Sequence, residues 1–309
     1  MNPNLTDVFL AYFGREAPVF AKHIHETEVR QPVLFRELSE PMLGWARQVI
    51  GDDWCQTLAN GYIAFLVDVN RSQKEYERDL HYRFSSYADV FAQTYDDPEF
   101  MADYHWGVYV TTFAWEHHLL IYDFFLRHFI PSMRENQNVT PGRLLDLGCG
   151  SGIWSTLVLR QLENWHSTMV DISATTIGLT RRTLTCAGLS SRTDLREDDA
   201  LRFRGEKAFD AGISCFLLEH LETPRLLLDN LRNALGERRL AFVTTAITAA
   251  EIDHIFEFRR ESEVVALAEQ AGFRVVASFS SAPRAIQGAA AFLPRSIALV
   301  LQKRRGEYW

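Results

Sequence analysis

The stretch Leu144-Leu145-Asp146-Leu147-Gly148-Cys149-Gly150-Ser151-Gly152 reads as a buried strand that turns through three alternate glycines into a helix. Glycine tolerates positive φ and lets a ligand come close to the backbone, and the helix that follows offers unpaired N–H groups. A ligand cradle is the expected product. Asp171 closes the next strand, where a carboxylate can accept both hydroxyl protons of a ribose. Asp199 and Ala200 come just past the third strand, at the carboxyl edge where open α/β sheets bind ligands, and Asp199 can accept a hydrogen bond from an adenine amino group. A dinucleotide fingerprint needs its third glycine three positions after the second, where Ile153 stands. No G-x-x-x-x-G-K-[ST] loop occurs, so neither NAD nor a P-loop nucleotide is favoured.

Acid and base candidates fall into three groups. Trp115-Glu116-His117-His118 lies on an apolar helix, where Glu116 or a histidine can exchange a proton near neutral pH, His118 can line a substrate pocket, and Trp115 can face a cation. Buried aromatics with locally satisfied histidines would look the same. His220 follows the fourth strand in Leu218-Glu219-His220-Leu221, and Asp253 and His254 follow the fifth; both are carboxyl ends where substrate loops belong, although Asp253 could instead cap the next helix. Tyr82, Tyr87, Tyr104 and Tyr109 could close over the ligand, or simply be core. No H-x-x-x-H or H-E-x-x-H spacing occurs among these residues, so no metal is expected.

The elements that must hold these groups differ between the two halves. Before Pro141 apolar residues recur at three and four positions, as in Met42, Trp45, Ala46, Val49 and Ile50, so residues 1–140 are expected to form a helical substrate or lid domain. Its last helix is expected from Asp103 to Phe129, apolar on most faces and stopped by Pro131, with Ser132 to Gly142 as linker. Residues 141–309 alternate short apolar runs with helical stretches, the pattern of a mostly parallel sheet. Strands are expected at Arg143–Leu147, Ser167–Asp171, Arg192–Arg196, Phe209–Cys215, Arg239–Thr244, Arg274–Phe279 and Ser296–Gln302, the last two as an antiparallel edge pair.

Composition narrows the partners. The net charge of −8 gives little support for a polyphosphate track, so nucleic acid is not an expected substrate. No apolar run suggests a membrane span and the N-terminus lacks a secretory pattern, so a cytoplasmic protein is expected. The four cysteines are widely spaced and offer neither a disulfide framework nor a zinc site. Lys303-Arg304-Arg305 reads as a solvated end, and an exposed apolar face on the helical half would permit a homodimer.

Asp146-x-Gly148-x-Gly150-x-Gly152, Asp171, Asp198-Asp199-Ala200 and Phe209-Asp210 through Leu221 resemble the successive motifs of class I S-adenosylmethionine (SAM)-dependent methyltransferases. The resemblance covers about Arg143 to Lys303 and implies a Rossmann-like, seven-stranded α/β sheet whose last strand is antiparallel. It also implies SAM as cofactor. Asp146 with the backbone of Gly148, Cys149, Gly150 and Gly152 would hold the methionyl part, Asp171 with Ile172 the ribose, Asp199 and Ala200 the adenine, and Cys215 and Phe216 would flank the sulfonium. Asp198 departs from the glycine common at that place. No Asn/Asp-Pro-Pro-aromatic motif follows the fourth strand, so a small-molecule acceptor is expected rather than a nucleobase. The helical front half, with its aromatic and histidine-rich last helix, is also similar to the azetidine-2-carboxylate synthases of this superfamily. That resemblance implies ring closure of SAM with release of methylthioadenosine. A non-catalytic SAM-binding protein would be expected to show a damaged glycine turn or to lack the ribose acid, and neither is seen.

Overall fold

A computed structural model describes residues 4–135, 141–205, 207–283 and 293–304. The helical half runs through α1 (Leu5–Glu16), α2 (Pro18–Arg30), α3 (Pro32–Ile50), α4 (Trp54–Asp79), α5 (Tyr87–Phe91), α6 (Pro98–Ala114), α7 (Glu116–Phe124) and α8 (Ile130–Glu135). The second half alternates β1 (Gly142–Leu147), α9 (Ile153–Gln161), β2 (Trp165–Asp171), α10 (Ala174–Cys186), β3 (Thr193–Glu197), β4 (Phe209–Cys215), α11 (Pro224–Ala234), β5 (Leu235–Ile247), α12 (Glu261–Gln270), β6 (Phe273–Ser281) and β7 (Arg295–Lys303). The strands form one seven-stranded sheet in the order β3-β2-β1-β4-β5-β7-β6. Strands β1 to β5 pair in parallel, whereas β7 lies antiparallel between β5 and β6.

Alternation along the strands divides the apolar residues between two faces. Leu145, Leu147, Ala241 and Val243 face α11 and α12, while Leu144, Met169, Ile213 and Phe242 share one continuous core with the buried side chains of the helical half. The α4 and α6 backbones meet closely where Gly61 and Gly107 face each other, since a Cβ on Gly61 would come within 2.7 Å of Asp103 O. That approach places Tyr62 and Phe65 of α4 beside Tyr104 and Trp115, with Phe65 5.7 Å from the Tyr104 ring and 5.9 Å from Trp115.

The helix expected from Asp103 to Phe129 is not continuous. It breaks at Trp115, whose φ and ψ of −97° and 121° are extended. A π turn over Phe125–Phe129 then follows α7, with Ile130 N–H bonding Phe125 O. Pro131 does not stop the chain, because this wide turn has already interrupted the regular ladder and α8 continues through the missing donor to Glu135. Ser132–Glu135 is therefore helix rather than linker, while residues 136–140 of the expected linker, and Arg305 of the basic tail, lie outside the described residues. Phe125 packs against Phe242 at 4.9 Å and Trp154 at 5.3 Å, and this aromatic packing seats the turn on the sheet. No described helix is long and apolar enough to cross a membrane.

Candidate active site

A cavity of about 960 Å³ opens at the carboxyl ends of β1, β4 and β5 and is roofed by α2, α4, α6 and α7. Its first wall is the glycine turn. Gly148, Gly150 and Gly152 have φ of 72°, 49° and 69°, the left-handed region that favours glycine. Space is as restrictive as φ at Gly148, where a Cβ would stand 2.5 Å from Leu217 Cδ2. Asp171 accepts the N–H of Gly150 at 2.8 Å and of Ser173 at 3.0 Å, so the acid is fixed against the turn by backbone donors. Burial raises its proton affinity, and these N–H groups counter the rise. Phe216 leaves β4 with a φ of 55°, a strained value for an aromatic residue, held by its N–H to Thr244 O and Oγ1, both at 3.0 Å. Its ring lies 4.8 Å from that of His118.

The opposite wall is built from the segments after β4 and β5. Glu219 is buried, with its carboxylate accepting Thr245 Oγ1–H at 2.6 Å and Ala246 N–H at 2.9 Å. Its carbonyl takes the N–H groups of Ile255 and Phe256, so one residue ties both segments together. His220 Nδ1 sits 3.3 Å from Asp253 Oδ2, which also accepts the Tyr95 hydroxyl at 3.1 Å. Burial opposes the His220 charge, but Asp253 and then Glu219 outweigh it and hold the imidazolium up to about 10. Burial likewise works against the Asp253 charge, and His220 overcomes it, keeping the carboxyl below its ordinary range. His254 differs: its Nδ1 is 2.7 Å from Ala249 O, so Nδ1 carries the hydrogen and Nε2 is left with a lone pair, 3.6 Å from Glu251 Oε2. Burial, followed by the charge of His220, lowers His254 to about 3.

On the helical roof, Trp115 Nε1–H donates to the Tyr62 hydroxyl at 3.1 Å, and His117 stacks on the indole at 5.2 Å. Burial lowers His117 to about 4 and pushes His118 well below its ordinary value. Glu116 pairs with Arg30 at 3.3 Å.

Of the residues singled out by sequence, Gly148, Cys149, Gly150, Asp171, Cys215, Phe216, Tyr104, Trp115, Glu116, His117, His118, His220 and His254 line this one cavity. The others stand behind or beside it. Asp146 is 2% exposed and accepts Ser155 Oγ–H at 2.7 Å, so its carboxylate supports the turn from beneath; burial raises it to about 7. Gly152 caps α9 behind the wall. Ile172 is on the surface, Asp199 accepts Leu201 N–H at 2.8 Å, and Ala200 is buried next to it, all off the cavity wall. Asp253 is no helix cap; it lies under the floor, holding His220. Tyr109 is core, donating to Met42 O at 2.8 Å. Sequence reasoning missed Tyr62, Tyr95, Glu219 and Glu251; for Glu219 and Glu251 the available signal was an acid next to or near a histidine already singled out. Although no metal spacing occurs in the sequence, Glu219, His220 and His254, and likewise Glu251, Asp253 and His254, bring ligand atoms within 4.8 Å of one another.

A family model described as a methyltransferase domain matches residues 145–238. No curated protein sequence matches the chain. Among solved structures, the phosphoethanolamine N-methyltransferase 2 of Haemonchus contortus is similar with a TM-score of 0.52 and 14% identity, over 71% of this chain and 60% of that one. A Galdieria sulphuraria protein assigned as a sarcosine dimethylglycine methyltransferase is similar with a TM-score of 0.50 and 13% identity, over 60% of this chain and 86% of that one. The cyclase SpnF overlaps with a TM-score of 0.48 and 18% identity, over 57% of this chain and 80% of its own. At these identities the structures speak for the fold alone. Residues 145–238 thus match a methyltransferase domain, and the sheet around them has the fold of these structures.

Proposed function

We propose that the protein transfers the methyl group of SAM to a small molecule held between the sheet and the helical half. The observation that carries this reading is the continuity of the cavity, which runs from the glycine turn and Asp171, past Cys215 and Phe216, to His220 and His254. SAM supplies an electrophilic methyl carbon and its own leaving group. Asp171, its carboxylate already oriented by Gly150 and Ser173, would take the ribose hydroxyls. Asp199 and Ala200 would receive the adenine beyond the cavity wall, and the glycine turn the methionyl part. Tyr104, Trp115 and Phe216 exclude water from the reacting end, which strengthens every charge interaction there.

The two histidines on the sheet side then take different roles. His220, held as an imidazolium by Asp253, is a donor and a fixed positive charge. His254 is neutral, and its Nε2 lone pair is left to accept a hydrogen bond from the attacking group.

One observation favours a second reading, ring closure of SAM by its own amine. His118, a neutral buried imidazole, lies against Phe216 on the roof rather than on the acceptor side, where it could keep that amine deprotonated. Mass spectrometry of the nucleoside formed from SAM separates the two. S-adenosylhomocysteine that appears only with an added acceptor is expected for methyl transfer; methylthioadenosine from SAM alone would overturn it in favour of cyclisation. Neither product, with no SAM binding, would sink both.

A further inference from the structure

The cavity and its floor hold more buried acidic groups than their own cations answer. Its two wall arginines are already paired, Arg30 with Glu26 at 3.1 Å and Glu116 at 3.3 Å, and Arg295 with Glu261 at 2.8 Å. Deeper in, Glu219 is satisfied by Thr245 and Ala246, and Asp253 is paired with His220. Glu251 is left over. It lines the cavity with a side-chain exposure of 16%, and its ion-pair contact among the described residues is His254 Nε2 at 3.6 Å, a neutral imidazole.

A second observation points to a missing partner at the same place. Asp253 is 2% exposed, yet its Oδ1 meets no hydrogen-bond partner among the described residues. Glu251, Asp253 and His254 each bring an atom within 4.8 Å of the others. A buried carboxylate oxygen left unpaired is costly, and a cation held at Glu251, above this cluster, offsets that cost through its charge. The cavity lining also includes the aromatic residues Tyr62, Phe65, Tyr104 and Trp115, a side-chain class that attracts positive charge.

We propose that Glu251 is the anchor of an ammonium subsite, so that the acceptor is a small amine that enters the cavity as a cation. This rests on the methyl-transfer reading above. The amine pairs with Glu251, whose carboxylate takes one N–H proton, and the freed nitrogen lone pair forms the bond to the methyl carbon. The C–S bond breaks with its electron pair going to sulfur, leaving S-adenosylhomocysteine, a methylated ammonium and a protonated Glu251, while the His254 Nε2 lone pair accepts a hydrogen bond. Without a guest, burial and then Asp253 push the Glu251 carboxyl up to about 8, so an arriving cation also displaces a proton near neutral pH.

The test is calorimetry of the full-length protein with three matched probe sets: ethylamine, benzylamine and cyclohexylmethylamine, each against the corresponding alcohol and carboxylate. Titrations run with and without saturating S-adenosylhomocysteine, in two buffers of different ionisation enthalpy. At least one amine is expected to bind roughly tenfold tighter than its alcohol, corresponding to about 1.4 kcal/mol, with proton release at pH 7.5. E251Q should lose that preference while keeping its affinity for S-adenosylhomocysteine, which also reports that the variant is folded. The proposal is overturned if alcohols or carboxylates bind as well as the amines, or if no amine binds. It is also overturned if the purified protein retains zinc or manganese that E251Q lacks, because the cluster then serves a metal. Failure of S-adenosylhomocysteine to bind counts against methyl transfer, whereas the amine preference is read independently in the nucleoside-free titrations.

Discussion

Two acids, one lining the cavity and one beneath its floor, are held in different ways. Asp171 is fixed by backbone N–H groups of its own neighbourhood, Gly150 and Ser173, whose donor capacity does not change with pH. Asp253 is fixed by side chains from distant segments, His220 and Tyr95, the first of which titrates. A backbone-held carboxylate makes a binding site of constant charge. A carboxylate held by a titrating network makes a site whose charge responds to its guest, suited to proton transfer.

Asp253→Asn should have the largest effect, because it leaves the buried His220 imidazolium unpaired; about 3–5 kcal/mol of unfolding free energy should be lost in urea melts at pH 7. The sign of the pH dependence sharpens the comparison. His220 is raised in the folded protein from 6.5 to about 10, so its contribution is complete below 6.5 and disappears as pH rises through 10. The stability gap between wild type and Asp253→Asn should close over that window. A gap independent of pH would show that Asp253 acts through packing alone.

Asp171→Ala should weaken SAM binding by roughly 1.5–3 kcal/mol in calorimetry, equally at pH 6 and pH 9. Unchanged affinity would break the assignment of this wall to the cofactor. Gly148→Ala puts a Cβ against Leu217 at positive φ and should lower the melting temperature by an amount equivalent to about 1–3 kcal/mol, with weaker SAM binding alongside. An unaffected Gly148→Ala variant would mean that the turn can relax. Tyr62→Phe should have the smallest effect, about 0.5–1.5 kcal/mol of stability by urea melts, since it removes only the acceptor of the Trp115 Nε1–H bond. A loss several times larger would show that Tyr62 is part of the acid–base network.

The same contrast explains what could be read from the sequence. β4 starts and ends at the expected residues, and β1 and β2 end where expected, because glycine and acid punctuation marks the carboxyl ends of parallel strands locally. β5 begins at Leu235, ahead of the expected Arg239, because its start pairs with Phe209 across an irregularity in register that no local pattern encodes. The glycine turn and Asp171 lie within one βαβ unit and were legible together. Glu251 and Glu219 reach their cluster only through the sheet order, which sets β4 and β5 side by side, so their residue types were visible but their convergence was not. The break at Trp115 was hidden for a similar reason. Apolar periodicity carries through it, and the roof's packing on the cavity decides where the hydrogen-bond ladder opens.

The π turn at Phe125–Phe129 amounts to one residue more than the helix around it would hold. Removing one residue there would make the coil regular, yet it would rotate all that follows by roughly 100°. Ile130 and Met133, each 2% exposed, would then swing off the core. The extra residue thus works as a spacer that brings two helical phases into agreement, and insertions or deletions in this short segment should be far less tolerated than ordinary side-chain replacements.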